Sequence, residues 1–293
     1  MTVYAKQLLP HLATVQALTP RQDTSPPESS LSLWQLPDKK LTCFYAPFEH
    51  VSTKAKLILV GITPGRTQMN RSINSLNQGL SNGEDLEQAL KSVKQTASLS
   101  GTMRPRLVEM LNRLGYADKL DIACCSSLWA KNNDLVHFCS VLKYPIFVNG
   151  KDYCGQPNLF NVPNLQALLF DQFVKDMQTI NPNASIVPLG EMVADVLTQL
   201  TLAGHITHGL PRFEDQVVSP PHPSGANAES IALILMDDYP SLNEYQDMMY
   251  ARYLSKRGWL KKANGQPQDE TQYKKARAAR WYAMSRVRQA YKI

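Results

Sequence analysis

The chain has 293 residues, 43% of them hydrophobic and 19% charged, a globular composition with room for a sizeable core that excludes a disordered, fibrous or disulfide-stapled protein. Its longest apolar runs, residues 57–60 and 231–236, fall far short of the roughly 18 residues of a membrane span. The net charge of +6 is uneven: over residues 251–293 twelve Lys or Arg stand against only Asp269 and Glu270, a net of +10, which leaves −4 on the first 250 residues.

Residues 2–18 have the pattern of an amphipathic helix. Lys6, Gln7 and His11 interrupt its apolar positions and no small-residue cleavage site follows, so a signal peptide is not expected and a cytoplasmic chain is. The polar stretch RQDTSPPESS from Arg21 reads as a loop, making residues 1–40 an N-terminal extension. KLILVGI, residues 56–62, is a near-continuous apolar run ending in TPG, the pattern of a buried parallel strand entering a tight turn. Helical patterns follow over 85–96 and 105–114, then a second short run, DIACCSS, and an excursion, KYPIFVNGKDYCGQPN. A helix near 165–178, a third run SIVPLG, a helix over 192–202, a fourth run QVVSPP and a helix over 228–236 complete the series. Short apolar runs alternating with helices argue for βαβ units. The expected fold over residues 41–250 is therefore a three-layer α/β/α domain around a central, mostly parallel four-stranded sheet. Ligands bind beyond the carboxyl ends of such strands, which directs attention to the turns GITPGRTQ, SSLWAKN, LGEM and PPHPSGAN.

The basic tail, residues 251–293, contains QYKKARAARWYAMSRVRQAYK, which has no Gly or Pro and favours a helix. At 100° per residue Ala276, Ala279, Ala283, Val287 and Ala290 share one stripe suited to packing. Lys274, Arg277, Trp281, Arg288 and Lys292 share another, and with the interleaved Tyr253, Trp259, Tyr273, Tyr282 and Tyr291 they suit phosphates and unstacked bases. Those five are the expected contacts to a DNA backbone; a solvated basic helix capping the domain is the alternative. The cysteines, Cys43, Cys124, Cys125, Cys139 and Cys154, are odd in number and lack a Cys-x-x-Cys pair, so reduced thiols are expected, with no metal and no organic cofactor. His205 and His208 have no partner ligand in register and read as surface histidines.

Two turns carry the most chemistry. Gly61-Ile62-Thr63-Pro64-Gly65 follows the first run and His222-Pro223-Ser224-Gly225 the fourth. Proline fixes φ while glycine admits a close neighbour, so both look rigid and ligand-facing. Together they resemble the uracil-DNA glycosylase superfamily, whose first motif is a Gly-x-(Asp/Asn)-Pro turn and whose second is a His-Pro-Ser turn; VPLGEMVADVL resembles its third strand and following helix. The resemblance covers about residues 41–239. It implies a monomeric, monofunctional DNA glycosylase that extracts a base from the stack, hydrolyses its N-glycosidic bond and leaves an abasic site. His222 would donate to the base oxygen that gains charge, with Thr63 at the position that activates water. Gly61, Ile62, Pro64 and Gly65 would face the base, and Ser224, Gly225 and Asn227 the substrate strand.

Three departures shape the expected substrate. Thr63 stands where relatives carry Asp or Asn, and a threonine is no general base near neutral pH. DIACCSS aligns with the strand that ends in a base-reading Asn, where Ser126 is the nearest match. Ala226 and Asn227 replace a bulky wedge, which favours bases already exposed, as in single strands. The excursion over 137–153 adds His137, Lys143, Tyr144 and Asn149 as candidate pocket contacts, although aromatic-rich loops commonly just pack. These features point to a bulky 5-modified cytosine, such as the glucosylated hydroxymethylcytosine of phage DNA that related bacterial defence glycosylases remove. Ordinary uracil repair and a catalytically silent nucleic-acid binder are the alternatives. A nucleotide hydrolase is disfavoured by the absence of a P-loop, a metal cluster or a nucleophile elbow.

Overall fold

A computed structural model describes residues 3–255 and 269–293; Thr2 and residues 256–268, with Trp259, lie outside the described residues. In chain order, α1 (Val3–Gln16) leads to an antiparallel pair, β1 (Ser32–Leu36) and β2 (Leu41–Phe44). β3 (Leu57–Gly61) precedes α2 (Arg66–Ser81), α3 (Leu86–Ala97), α4 (Met103–Arg113) and the single turn α5 (Tyr116–Lys119). Next come β4 (Val136–Ser140), the hairpin β5 (Ile146–Val148) and β6 (Lys151–Asp152), and a helical rod of α6 (Pro163–Leu168), a π-helical stretch over Leu169–Val174 and α7 (Lys175–Met177). β7 (Ser185–Pro188), α8 (Glu191–Leu202), the short pair β8 (Arg212–Phe213) and β9 (Gln216–Val217), then α9 (Ala228–Leu235), α10 (Leu242–Ser255) and α11 (Glu270–Tyr291) complete it. None of the described helices is long and apolar enough to cross a membrane.

The central sheet is parallel, with β3 between β4 and β7. β3, buried on both faces from Leu57 to Val60, for that reason reads as an unbroken apolar run. Alternation along β3 divides the core: Ile58 and Val60 pack with residues of α1, α2, α3, the rod and α8, while Leu57 and Leu59 pack with α4, α9 and α11. The result is three layers. A second sheet, in the order β1-β2-β5-β6, ties residues of the expected N-terminal extension to the 137–153 excursion. The extension is therefore part of the domain's framework.

Among the described residues the central sheet has three strands, not four. DIACCSS forms no strand: Cys125–Trp129 is a 3-10 helix, and the Cys125 N–H is taken by Asn112 Oδ1 of α4 at 2.9 Å. With that backbone engaged locally, VHFCS, residues 136–140, pairs with β3 instead. The fourth run fails for a different reason. Gln216 and Val217 turn back on Arg212 and Phe213, and Pro220 and Pro221 have no N–H for a ladder. The place beside β7 is filled piecemeal by Gly209, whose carbonyl accepts from Ile186 N–H at 2.9 Å, and by Pro220, whose carbonyl accepts from Gly190 N–H at 3.1 Å.

The tail helix also lies differently from expectation. On α11 the buried residues are Tyr273, Met284, Val287, Arg288 and Tyr291, whereas Ala276 and Ala279 are exposed. Residues of both stripes pack, Val287 with Ala283 and Ala290 from one and Arg288 with Trp281 from the other. Arg288 donates to the carbonyls of Ile234 at 3.0 Å and Met236 at 2.6 Å, groups at the end of α9 that a helix leaves without partners. Trp281 Nε1 donates to Pro240 O at 2.9 Å. Arg277 lies 3.4 Å from the centre of the Tyr273 ring and 3.5 Å from a Glu229 carboxylate oxygen, and Lys274 pairs with Asp247 and Glu270. Lys274, Arg277, Trp281 and Arg288 are thus engaged with partners inside the protein; of the expected set only Lys292 is exposed, in the left-handed turn that ends the helix.

Candidate functional site

Because the chain adds β4 to one side of β3 and later β7 to the other, the carboxyl end of β3 is the point where a parallel sheet opens a crevice. A cleft lies there. It is lined by Gly61, Ile62, Thr63 and Pro64 after β3, Cys139, Ser140 and Lys143 at and beyond the end of β4, and His222 from the HPSG turn. Phe48, Gln68 and Lys94, with Phe173 and Asp176 of the rod, complete the walls. To its mouth it holds about 610 Å³ of unfilled space, of which about 40 Å³ admits the centre of a water molecule. The cleft is narrow.

The first turn is braced from both sides. Gly61 and Ile62 carbonyls accept from Val141 and Leu142 N–H at 3.0 and 2.9 Å, prolonging the β3–β4 ladder. The buried Thr63 hydroxyl donates to Tyr144 O at 2.9 Å and accepts from Ile146 N–H at 3.2 Å. It is an architectural clamp between the turn and β5, and its proton is not available to orient water. Gly65 leaves room for a carboxylate: a Cβ there would lie 2.6 Å from Asp152 Oδ2, and Asp152 Oδ1 accepts from Arg66 N–H at 3.2 Å in the first turn of α2, where negative charge is favoured.

His222 is held by its own loop. Its Nδ1 accepts from Ser224 N–H at 3.3 Å, and Asn227 Nδ2 donates to His222 O at 3.0 Å and to Ser224 Oγ at 3.3 Å. With Nδ1 accepting, the neutral imidazole carries its proton on Nε2. Burial lowers the His222 pKa below its usual 6.5 and so favours that neutral form. Gly190 has φ +102°, and a Cβ there would sit 3.6 Å from His222 Cβ; the LGEM turn therefore backs the HPSG turn. Asn227 acts as the brace, while the Ser224 hydroxyl proton has no acceptor among the described residues. Arg106 of α4 brings Nη1 within 3.6 Å of the Cβ position of the exposed Gly225, and has no carboxylate partner among the described residues.

The inner wall is charged, which the sequence did not suggest. Lys94 is buried, donates to Phe138 O at 2.9 Å and lies 5.5 Å from the Phe48 ring centre; burial pushes its pKa down to about 8. Lys143 Nζ is 2.6 Å from Asp176 Oδ2, with side-chain exposures of 6% and 13%. Glu49, fully buried, accepts from Tyr144 OH at 3.2 Å, and its burial raises its pKa to about 7 against the opposing pull of Lys143.

Several expected contacts lie elsewhere. Tyr144 points its hydroxyl at Glu49 and tilts its ring against Tyr45, 5.6 Å between centres. Asn149 and Gly150, at φ 50° and 70°, form the two-residue turn between β5 and β6, a conformation that Asn-Gly favours. Ser126 is exposed in its 3-10 helix with its hydroxyl on Cys124 Sγ at 3.3 Å. His137 is buried within β4, and its Nδ1 accepts from Ser52 N–H at 3.3 Å. His208 is buried rather than on the surface, while His205 is exposed against Phe170. All five cysteines are free, and no group of metal-ligating side chains occurs among the described residues.

The residues missed were Phe48, Gln68, Lys94, Arg106 and Asp176. Lys94 and Asp176 sit in polar helical stretches, SVKQTA and VKDMQT, that look solvated; the signal that remained was Lys143, which follows the apolar run FCSVL. No protein-family model matches the chain, and no solved structure matches it. An uncharacterized protein of Bacillus subtilis (strain 168), YoxB, is 30% identical over 196 residues, 66% of this chain and 75% of that protein.

Proposed function

The chain belongs to the same family as YoxB of Bacillus subtilis, and we propose that it is a nucleic-acid glycosylase that hydrolyses the bond between a pyrimidine base and its sugar. The observation that carries this reading is the neutral His222 imidazole, fixed by Ser224 N–H on Nδ1 so that Nε2–H donates at a cleft also lined by the GITP turn. As the C1′–N bond breaks, the sugar becomes positive and the base negative. A preorganised donor on the base oxygen is then worth roughly 10²–10³ in rate. Phe48 adds an apolar wall to the same cleft, and the Ser224 hydroxyl with Arg106 suits the flanking phosphates.

Thr63 supplies no base, so the rate rests on stabilising the departing base more than on activating water. Of the residues that favoured a bulky, sugar-bearing cytosine, Lys143 lines this cleft while Ser126, Tyr144 and Asn149 do not, and its narrowness suits a flat ring with small substituents. The exposed Ala226 that follows the HPSG turn is too small to plug a duplex, which favours a base already unstacked. The test is to incubate the protein with single-stranded oligonucleotides that each carry one defined pyrimidine, then treat with alkali. A break at one such position is the expected result; intact strands for every base would reject the reading.

A further inference from the structure

Lys143 and Asp176 form an ion pair in the wall of the cleft, not in the core. Taking two charges from water costs several kcal/mol per ion, and the pair offsets this only when its remaining hydrogen-bonding groups are satisfied. Here they are not. Lys143 Nζ is buried with no hydrogen bond beyond this ion pair among the described residues, and the pair engages Asp176 through Oδ2. Lys143 and Asp176, a donor and an acceptor side by side, therefore line the space that the proposed base would enter.

We infer that Lys143 and Asp176 read the edge of the bound base, taking a lactam edge in which a ring carbonyl neighbours a ring N–H. The ammonium of Lys143 donates to the carbonyl and Asp176 Oδ1 accepts from the N–H. An amidine edge, as in cytosine, also offers an acceptor beside a donor, but Lys94 shifts the balance. With Lys94 in the same wall there are two cations to one carboxylate, which favours the ring with two carbonyl acceptors, and most of all as that ring departs with negative charge. The inference rests on the glycosylase reading for its substrate, and its test does not depend on hydrolysis.

1-Methyluracil, 1,3-dimethyluracil and 1-methylcytosine, in which a methyl group on N1 stands for the sugar bond, are titrated calorimetrically into the full chain and into the double variant Lys143→Met, Asp176→Leu. Replacing both partners by apolar side chains commonly leaves stability unharmed, whereas removing one strands a buried charge. The wild type is expected to bind 1-methyluracil at least about tenfold more tightly than 1,3-dimethyluracil, which lacks the ring N–H, and than 1-methylcytosine, as one unmet buried hydrogen bond implies. The folded double variant is expected to lose that preference. A wild type that binds none of the three, or binds 1-methyluracil and 1,3-dimethyluracil alike, overturns the inference, and so does a folded double variant that keeps the preference. Should the double variant not fold, the wild-type comparison of 1-methyluracil with 1,3-dimethyluracil decides by itself. Base release from oligonucleotides, measured alongside, separates the two claims: discrimination among these bases without release from any strand removes the glycosylase reading and leaves the edge pair standing.

Discussion

Ser224 N–H donates to Nδ1 of His222 across 3.3 Å. Protonating the imidazole would set two N–H groups against each other, so this contact and the burial of the ring both oppose the charged form. The His222 pKa is accordingly lowered from 6.5. Since the neutral ring is the proposed donor, base release should hold steady as the pH falls from about 8 toward 6.5 and decline only below that value. Single-turnover rates against pH measure this; a decline centred above 6.5, or a rise on acidification, contradicts it.

Thr63→Val should unfold more easily without acting like a lost catalyst. The change removes a donor from Tyr144 O and an acceptor from Ile146 N–H, each worth about 1–3 kcal/mol if left unsatisfied. Urea denaturation should show a fall of that order. Any rate loss should be rescued by Thr63→Ser, which restores the hydroxyl; a rate loss that Ser does not rescue would assign the site a role other than bracing.

Two arginines should separate stability from nucleic-acid binding. Arg288→Ala removes the donor from Ile234 O and Met236 O and should cost about 1–3 kcal/mol of stability, with the salt dependence of strand binding unchanged. Arg106→Ala should leave stability within about 0.5 kcal/mol and reduce the slope of log affinity against log salt by about 0.7 if it meets one phosphate of a single strand. Anisotropy titrations at several salt concentrations read the slope; the opposite assignment would return DNA binding to α11.

Glu49 makes stability depend on pH in a defined direction. Its folded pKa, raised from 4.5 to about 7, means that the folded protein holds this proton more tightly than the unfolded chain. Its stabilising contribution is thus complete below 4.5 and is lost as the pH rises through about 7. Glu49→Gln should therefore gain on the wild type across that interval and hold a constant margin above it. His50, whose burial lowers its pKa to about 4, is common to both proteins and cancels in the comparison. Thermal melts from acid to neutral pH provide the measurement, and a margin that shrinks with rising pH contradicts the assignment.

The parts of the fold legible in the sequence were those in which one residue type dominates a segment. KLILVGI announced β3 because a strand buried on both faces has no polar positions, and GITPG and HPSG announced the two turns that line the cleft. VHFCS was hidden because His137 interrupts its apolar pattern, although in the sheet that histidine is buried. DIACCSS looked more like a strand, and only Asn112 of α4, distant in sequence, captures its backbone. VNGK carried an Asn-Gly hairpin signal that was overlooked amid the aromatics of the excursion. The face of α11 was legible in part: Val287, Ala283 and Ala290 pack as their stripe implied, but Arg277 and Arg288 also turn inward to cover aromatic rings and satisfy carbonyls, while Ala276 and Ala279, which would bury little area, stay outside. The pairing of Lys143 with Asp176 depends on the rod crossing the end of β4, which no local pattern encodes.

The most direct test of the central claim is the release of free pyrimidine from a single-stranded oligonucleotide, followed by chromatography under single-turnover conditions for the wild type and His222→Ala. Loss of one preorganised donor predicts release by the wild type and a rate lower by roughly 10²–10³ in a variant that melts like its parent. Equal rates in the two proteins, or no free base from the wild type, would contradict the account.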